Sequence, residues 1–142
     1  MSKLLERMRD ASRSGVYRAT GDAVILEVAR DTGFDVVTLS LAQVQGKEGL
    51  LKKLAEALGF PKWFGGNWDA LEDCLSDLSW RDAGGWVLIF RDFEVLPRDD
   101  LGVLVEVLAS AAQSWKERGK PFFAVFVDPG RSLALPDLYK EK

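Results

Sequence analysis

Two short, continuously apolar segments, residues 86–90 and 122–127, constrain the fold of this chain more than any other feature. Each segment is bounded by turn-forming residues, a pattern typical of strands that are covered on both faces. Between them, residues 99–118 carry an apolar stripe with the spacing of an α-helix, formed by Leu101, Leu104, Leu108, Ala111 and Trp115. Because a helix that joins two buried strands usually makes a right-handed crossover, the segments are predicted to be parallel.

The same alternation of strands and helices runs through the rest of the sequence. Residues 15–19 and 34–41 have the composition of strands, and residues 47–58 and 68–78 have the periodicity of helices. Residues 22–32 suit either a strand or a helix that ends at the following glycine, and we favour the helix. The fold class is therefore predicted to be α/β, a small parallel sheet flanked by helices.

At 142 residues, the chain has the length of one domain, predicted to span residues 1–142. Residues 3–13 are expected to form a short helix, more in keeping with a frayed, solvated terminus than with a functional basic arm. Residues 129–142 are rich in turn-forming residues and are expected to form a loosely held tail. No apolar run approaches the roughly 18 residues that span a bilayer, and no signal peptide is evident, so a cytoplasmic protein without membrane contact is predicted.

The absence of histidine and the presence of a single cysteine exclude several kinds of site. A Ser-His-Asp triad, a Cys-His pair, a cysteine-rich zinc site and an intrachain disulfide are all impossible with these residues. The formal net charge of −3 argues against direct binding of nucleic acid. We predict no catalytic residues, no metal site and no cofactor.

The helix predicted at residues 68–78 divides into an apolar face and an acidic face. Asn67 precedes it and is a suitable N-cap. Counting about 100° per residue, the apolar side chains fall within one arc, and the opposite side carries Asp69, Glu72, Asp73, Ser76 and Asp77. No Lys or Arg lies between Gly66 and Trp80. The pattern fits a solvated helix face or a surface that binds a basic partner, and both interpretations remain open.

Two tryptophans, Trp63 and Trp80, flank this acidic helix in the sequence. Either could lie in the core, but an aromatic side chain beside unpaired charge is also typical of an interface hot spot. Gly65 and Gly66 are expected to serve the backbone geometry of the loop before the helix.

This loop and helix resemble the corresponding segment of the barstar family of intracellular ribonuclease inhibitors. The residues that carry the resemblance are Pro61, Trp63-Phe64-Gly65, Asn67, Asp69-Ala70-Leu71 and Asp73-Cys74-Leu75. The resemblance covers about residues 34–128 and leaves residues 1–33 as an N-terminal extension. It implies a parallel sheet with helices, and a protein that blocks the active site of a ribonuclease with its acidic helix and preceding loop.

The resemblance also implies roles for individual residues. Asp69 and Asp73 match aspartates that contact the enzyme, Trp63 matches an aromatic contact, and Ser76 matches a hydroxyl contact. The complete predicted partner-binding set is Trp63, Gly65, Gly66, Asn67, Asp69, Glu72, Asp73, Ser76 and Trp80.

Three departures from the family pattern leave the identity of the partner open. Glu72 stands where the family has an aromatic contact, and Trp80 comes two residues later than the family's tryptophan. Ser114 and Arg118 occupy positions that are acidic in the family. The alternative is a barstar-like binding or immunity protein for a different toxin or regulatory partner. A hydrolase using Asp69 and Asp73 as paired carboxylates is less favoured, so we predict that the protein is not an enzyme.

Overall fold

A computed structural model describes residues 3–140 of the chain, in which four parallel strands form one sheet. The strands are β1 (Gly15–Ala19), β2 (Asp35–Ser40), β3 (Trp86–Arg91) and β4 (Phe122–Val127), in the spatial order β1-β4-β3-β2. The two continuously apolar segments are thus the two central strands, with Trp86 aligned to Phe122 and Phe90 to Phe126. The predicted parallel α/β fold is confirmed.

Five α-helices accompany the strands within the described residues. They are α1 (Lys3–Arg9), α2 (Ala23–Arg30), α3 (Gly46–Leu58), α4 (Trp68–Asp77) and α5 (Arg98–Glu117). The ambiguous segment at residues 22–32 forms the favoured helix, α2. The ends of the predicted domain, residues 1, 2, 141 and 142, lie outside the described residues, and a single domain over residues 1–142 stays a prediction.

Both faces of the sheet are covered, which explains why β3 and β4 are apolar without alternation. On one face, Trp86, Leu88 and Phe90 of β3 pack with α3, α4 and α5. On the other face, Val87 and Ile89 pack in a second cluster with buried side chains of α1 and α2. The acidic helix α4 therefore lies in one helical layer, and the N-terminal extension supplies the helices of the opposite layer.

The expectation of a frayed N-terminus is wrong. Leu4 and Met8 of α1 are buried in the cluster that covers the second face of the sheet. The Arg9 guanidinium donates a hydrogen bond to the carbonyl of Asp31, just after α2, at 2.8 Å. The sheet residues beneath α1 are apolar, so burial of its two large side chains outweighs the fraying tendency of a short terminal helix.

The expectation of a loosely held tail is also wrong for its described part. Leu138 is fully buried, and Asp137 forms an ion pair with Arg18 of β1 at 2.8 Å. Arg18 also donates to the carbonyl of Leu133 at 2.8 Å. The residue just before the tail, Asp128, is buried at the end of β4. The tail is therefore anchored along the edge strand β1.

The side chain of Asp128 fixes the first turn of the tail. It accepts hydrogen bonds from the amides of Ser132 and Leu133 at 3.1 and 2.8 Å, and from the Ser132 hydroxyl at 3.0 Å. Burial alone would raise the pKa of Asp128, but these hydrogen bonds and the charge of Arg18 outweigh it and lower the pKa below its ordinary value.

Helix α4 is positioned by its contact with α5. The indole Nε1 of the buried Trp115 on α5 donates to the carbonyl of Leu75 on α4 at 2.8 Å. The Trp115 ring in turn lies 4.3 Å, centroid to centroid, from that of Trp86 in β3. A chain of contacts thus connects the central sheet to the acidic helix. No helix among residues 3–140 is long and apolar enough to cross a membrane.

Candidate functional site

The start of α4 is fixed by Asn67, as predicted. Its backbone is extended, and its side-chain oxygen accepts a hydrogen bond from the amide of Ala70 at 2.8 Å. This bond satisfies one of the amides that a helix leaves without a partner in its first turn. The N-cap prediction is confirmed, whereas a contact between Asn67 and a partner protein stays a prediction.

The predicted division of α4 into two faces is present in the structure. Leu71, Cys74 and Leu75 are buried against the core. On the opposite side, Asp69, Asp73 and Asp77 are exposed, and Glu72 and Ser76 are half-buried. We call the four carboxylates, Asp69, Glu72, Asp73 and Asp77, the acidic surface.

No basic side chain of the described residues forms a salt bridge with the acidic surface. The four ion pairs found within residues 3–140 are Arg18–Asp137, Arg81–Asp35, Arg91–Asp22 and Lys120–Asp82. Asp69 and Asp73 are one helical turn apart, so their mutual repulsion costs roughly 0.2–0.5 kcal/mol. A basic partner could bind this surface without first breaking an internal ion pair.

The loop before α4 presents Trp63 on a support of other aromatic rings. Trp63 is 60% exposed, which makes it one of the few exposed large apolar residues between positions 3 and 140. Its ring packs edge-on against Trp80 at a centroid distance of 6.2 Å, and Trp80 packs against Phe60 at 5.9 Å. The half-buried Trp80 is held by a hydrogen bond from its Nε1 to the carbonyl of Leu58 at 3.0 Å. Trp80, itself held in place, therefore supports the exposed Trp63 ring by packing against it.

The two glycines of this loop have different structural requirements. Gly66 has a φ of +70°, in the left-handed region that other residues adopt at a cost of roughly 1–2 kcal/mol. A Cβ added at Gly65 would meet its nearest neighbour, the Nδ2 of Asn67, at 3.6 Å, an ordinary contact distance. The backbone therefore favours a glycine at position 66 but not at position 65.

Cys74 lies on the packed face of α4 and is fully buried. Burial raises the pKa of its thiol to about 11, and the neighbouring carboxylates of Asp73 and Asp77 contribute to the same shift. Since the thiolate is the reactive form, this cysteine is poorly suited to act as a nucleophile. Among residues 3–140, no cluster of three or more acidic or cysteine side chains is placed to hold a metal ion.

Arg118 contacts α4 in a way that the sequence does not predict. Its guanidinium donates a hydrogen bond to the carbonyl of Ser76, a residue of the predicted site. The family pattern indicates only that Arg118, a cation, occupies a position that is acidic in the family. Its contact with α4 arises from the packing of α5 against α4, which places together residues 42 positions apart.

The sequence matches the model of one family, and the fold is similar to parts of two larger archaeal proteins. The family model described as "Barstar (barnase inhibitor)" matches residues 34–127, from the residue before β2 to the end of β4. Among solved structures, the ORC2 protein of Aeropyrum pernix is similar with a TM-score of 0.55 and 16% identity, covering 88% of this chain and 38% of that one. The Cdc6p protein of Pyrobaculum aerophilum is similar with a TM-score of 0.55 and 14% identity, covering 87% of this chain and 38% of that one.

These structural similarities concern the fold alone, because the sequence identities are low. The chain spans 38% of the length of both archaeal proteins. No curated protein sequence matches the chain.

Proposed function

The chain belongs to the barstar family, and from this membership we propose that it inhibits a ribonuclease by covering the active site with α4 and the preceding loop. A ribonuclease binds the phosphates of its substrate with basic side chains, so its cleft is positively charged. The observation that carries the proposal is the acidic surface, whose four carboxylates form no salt bridge with the described residues.

The acidic surface is suited to a basic cleft because its geometry is fixed before binding. Asn67 caps the first turn of α4, and the bond from Trp115 to Leu75 holds the packed face of the helix. Carboxylates on a rigid helix lose little backbone freedom on binding compared with those on a mobile loop. Their charge would also accelerate the approach of a basic protein at low ionic strength.

Within this proposal, the predicted residues have distinct roles. Asp69 and Asp73 accept hydrogen bonds from basic groups of the enzyme, and Ser76 adds a hydroxyl contact. Trp63 inserts an exposed aromatic ring beside the charged contacts, where it would lose most of its remaining exposure to water. The other members of the set shape or extend the surface: Gly65, Gly66, Asn67, Glu72 and Trp80.

Catalysis by the paired carboxylates is not proposed. Asp69 and Asp73 are both exposed on one side of a helix. A carboxylate pair that cleaves glycosidic bonds needs two different environments, one of which keeps its acid protonated. An inhibitor needs only to occupy a cleft. It would act in the same compartment as the enzyme, and we propose the reducing cytoplasm, where Cys74 would remain a buried thiol.

The direct test is an inhibition assay with a panel of purified bacterial ribonucleases, barnase included, each titrated with the full chain. We expect tight inhibition of at least one enzyme, weakened by increasing salt concentration because the contacts are ionic. Asp73→Ala should weaken the inhibition by at least about 2 kcal/mol, or thirtyfold in Kd, the threshold used for interface hot spots in general, complexes of this family included.

Glu27→Ala is the matched control, since Glu27 is an exposed carboxylate on α2, in the opposite helical layer. Equal effects of the two substitutions would contradict the proposed surface. A target other than a ribonuclease is the second candidate, favoured by the cation Arg118 beside the acidic surface. Failure to inhibit any ribonuclease, together with neutralisation of another toxin through Asp73, would support that candidate.

A further inference from the structure

The guanidinium of Arg118 is exposed to solvent and yet held firmly in place. One of its faces lies over the ring of Trp115, with Cζ 3.6 Å from the ring centroid. Its Nε donates to the carbonyl of Ser114 at 3.3 Å, and Nη2 donates to the Ser114 hydroxyl at 3.0 Å and to the carbonyl of Ser76. Contacts of this number are unusual for a surface arginine, which ordinarily samples many rotamers.

These contacts place a positive charge against the C-terminal part of α4, the helix that carries the acidic surface. Ser76, whose carbonyl accepts the bond, lies three residues after Asp73 on the same helix, so its side chain falls on a neighbouring part of the same face. The Nη1 atom of Arg118 donates no hydrogen bond to any described residue. The N–H groups of Nη1 therefore remain available to an external acceptor.

We propose that the partner-binding surface carries both negative charges, on Asp69 and Asp73, and a positive charge, on Arg118. Such a surface fits a partner that presents basic groups to the two aspartates and, beside them, a carboxylate to Arg118. This inference rests on the proposed function, since it takes the acidic surface as the interface. An Nη1 group that is already oriented binds a carboxylate favourably, because little conformational freedom remains to be lost.

The same arrangement discriminates between partners. A partner with a uniformly basic surface would bring a cation against Arg118, and repulsion between like charges at an interface is costly. A basic cleft with an acidic group at the matching edge would avoid this repulsion and gain one more contact. Arg118 would thus select among ribonucleases whose active sites are similar.

A purely structural role for Arg118 makes a different prediction. Its bond to Ser76 occupies a carbonyl near the C-terminal end of α4, as a helix-capping side chain does. If capping were its only role, replacements that remove the cap would affect inhibition equally, whatever their charge. The sign of the replacement charge therefore separates the two roles.

The experiment compares the wild type with Arg118→Lys, Arg118→Gln and Arg118→Glu. The probe is the ribonuclease that the wild-type chain inhibits most strongly in the panel, and the measured quantities are the association and dissociation rate constants. Lys116→Glu is the control, because Lys116 is exposed two residues earlier and its reversal changes the net charge by the same amount. Both reversals should accelerate association with a basic enzyme.

We expect the dissociation rate to rise about threefold to tenfold for Arg118→Gln and a further tenfold or so for Arg118→Glu. Arg118→Lys, which keeps the charge, should raise the dissociation rate least among the three Arg118 replacements. The dissociation rate of Lys116→Glu should stay within about twofold of the wild-type rate. Thermal unfolding of each variant verifies that the fold is retained.

Equal or slower dissociation for Arg118→Glu than for Arg118→Gln would overturn the inference, since it would mean that the partner presents no anion there. If the wild type inhibits a ribonuclease through Asp73 but the Arg118 series has no effect, the inference alone fails. If the wild type inhibits no ribonuclease in the panel, the proposed function fails and the inference fails with it.

Discussion

The N-terminal extension is expected to fold as one cooperative unit with the segment that matches the barstar family. Met8 on α1 provides the test, because its side chain is fully buried against the second face of the sheet. The strand residues of that cluster include Val87 and Phe123, which lie within the matched segment. If the two parts form one unit, loss of the Met8 side chain must destabilise the whole sheet.

The expected magnitude follows from the burial of Met8. Replacing a fully buried methionine with alanine removes its transfer free energy and leaves a cavity, which together cost about 2–5 kcal/mol. For a domain of this size, each kcal/mol lowers the melting temperature by about 3 °C. Met8→Ala should therefore melt about 6–15 °C below the wild type, and Glu6→Ala, an exposed residue of the same helix, should change little.

The tryptophans make the assay informative, because all five lie between positions 63 and 115 and none in the extension. Urea unfolding followed by tryptophan fluorescence therefore reports on the matched segment alone, and circular dichroism reports on the whole chain. We expect one transition, shifted equally by both probes in Met8→Ala. A fluorescence transition that Met8→Ala leaves unchanged would refute the single domain predicted for residues 1–142.

Four further predictions concern the site and the tail. Trp63→Ala should lower the melting temperature by only a few degrees, because the edge contact of Trp63 with Trp80 contributes about 1 kcal/mol. The same substitution should weaken inhibition more than about thirtyfold. A large loss of stability would instead assign Trp63 to the core. Gly66→Ala should cost about 1–2 kcal/mol in urea unfolding because of its positive φ, and Gly65→Ala should cost clearly less; equal costs would contradict the loop geometry. Cys74, with a thiol pKa of about 11, should react with iodoacetamide at neutral pH far more slowly in the folded chain than in urea, and equal rates would contradict its burial. Hydrogen bonds lower the pKa of Asp128 in the folded state, so its contribution to stability is complete above the unfolded-state pKa of about 4 and is lost as the pH falls through the folded-state pKa. Asp128→Asn should therefore reduce the difference between the unfolding free energies measured at about pH 7 and about pH 3. An unchanged difference would refute this prediction.

The elements of the sheet and of its first helical layer could be predicted because their patterns are local. The 3.6-residue periodicity of α5 and the apolar runs of β3 and β4 identify each element within its own segment. The acidic face of α4 follows in the same way from the spacing of Asp69 and Asp73 and from the absence of any nearby basic residue in the sequence. The N-cap at Asn67 is likewise a local property.

The second helical layer could be predicted only in part. The sequence favours a helix at residues 22–32, but it does not show that α1 is buried, because burial there depends on what another part of the chain leaves uncovered. Leu4 and Met8 are the only fully packed side chains of a short, highly charged helix, and such a pattern alone also fits a solvated terminus. The sequence does contain an indirect signal, since β3 and β4 are apolar on both faces and require helices on each side. The contact of Arg118 with Ser76 has no such signal in the sequence, because it exists only once α4 and α5 are packed together.

The architecture separates the residues that stabilise the fold from those available for binding. Asp69, Asp73 and Trp63 contribute little burial to the isolated chain, and the repulsion between the two aspartates slightly destabilises α4. Their positions are maintained by other groups, namely the cap of Asn67 and the hydrogen bond from Trp115 to Leu75. The helices α1 and α2 of the extension lie on the far face of the sheet, where they can stabilise the fold without altering the shape of α4. Substitutions at Met8 should therefore change the free energy of unfolding but not the affinity of the folded protein for its partner, whereas substitutions at Asp73 should do the reverse.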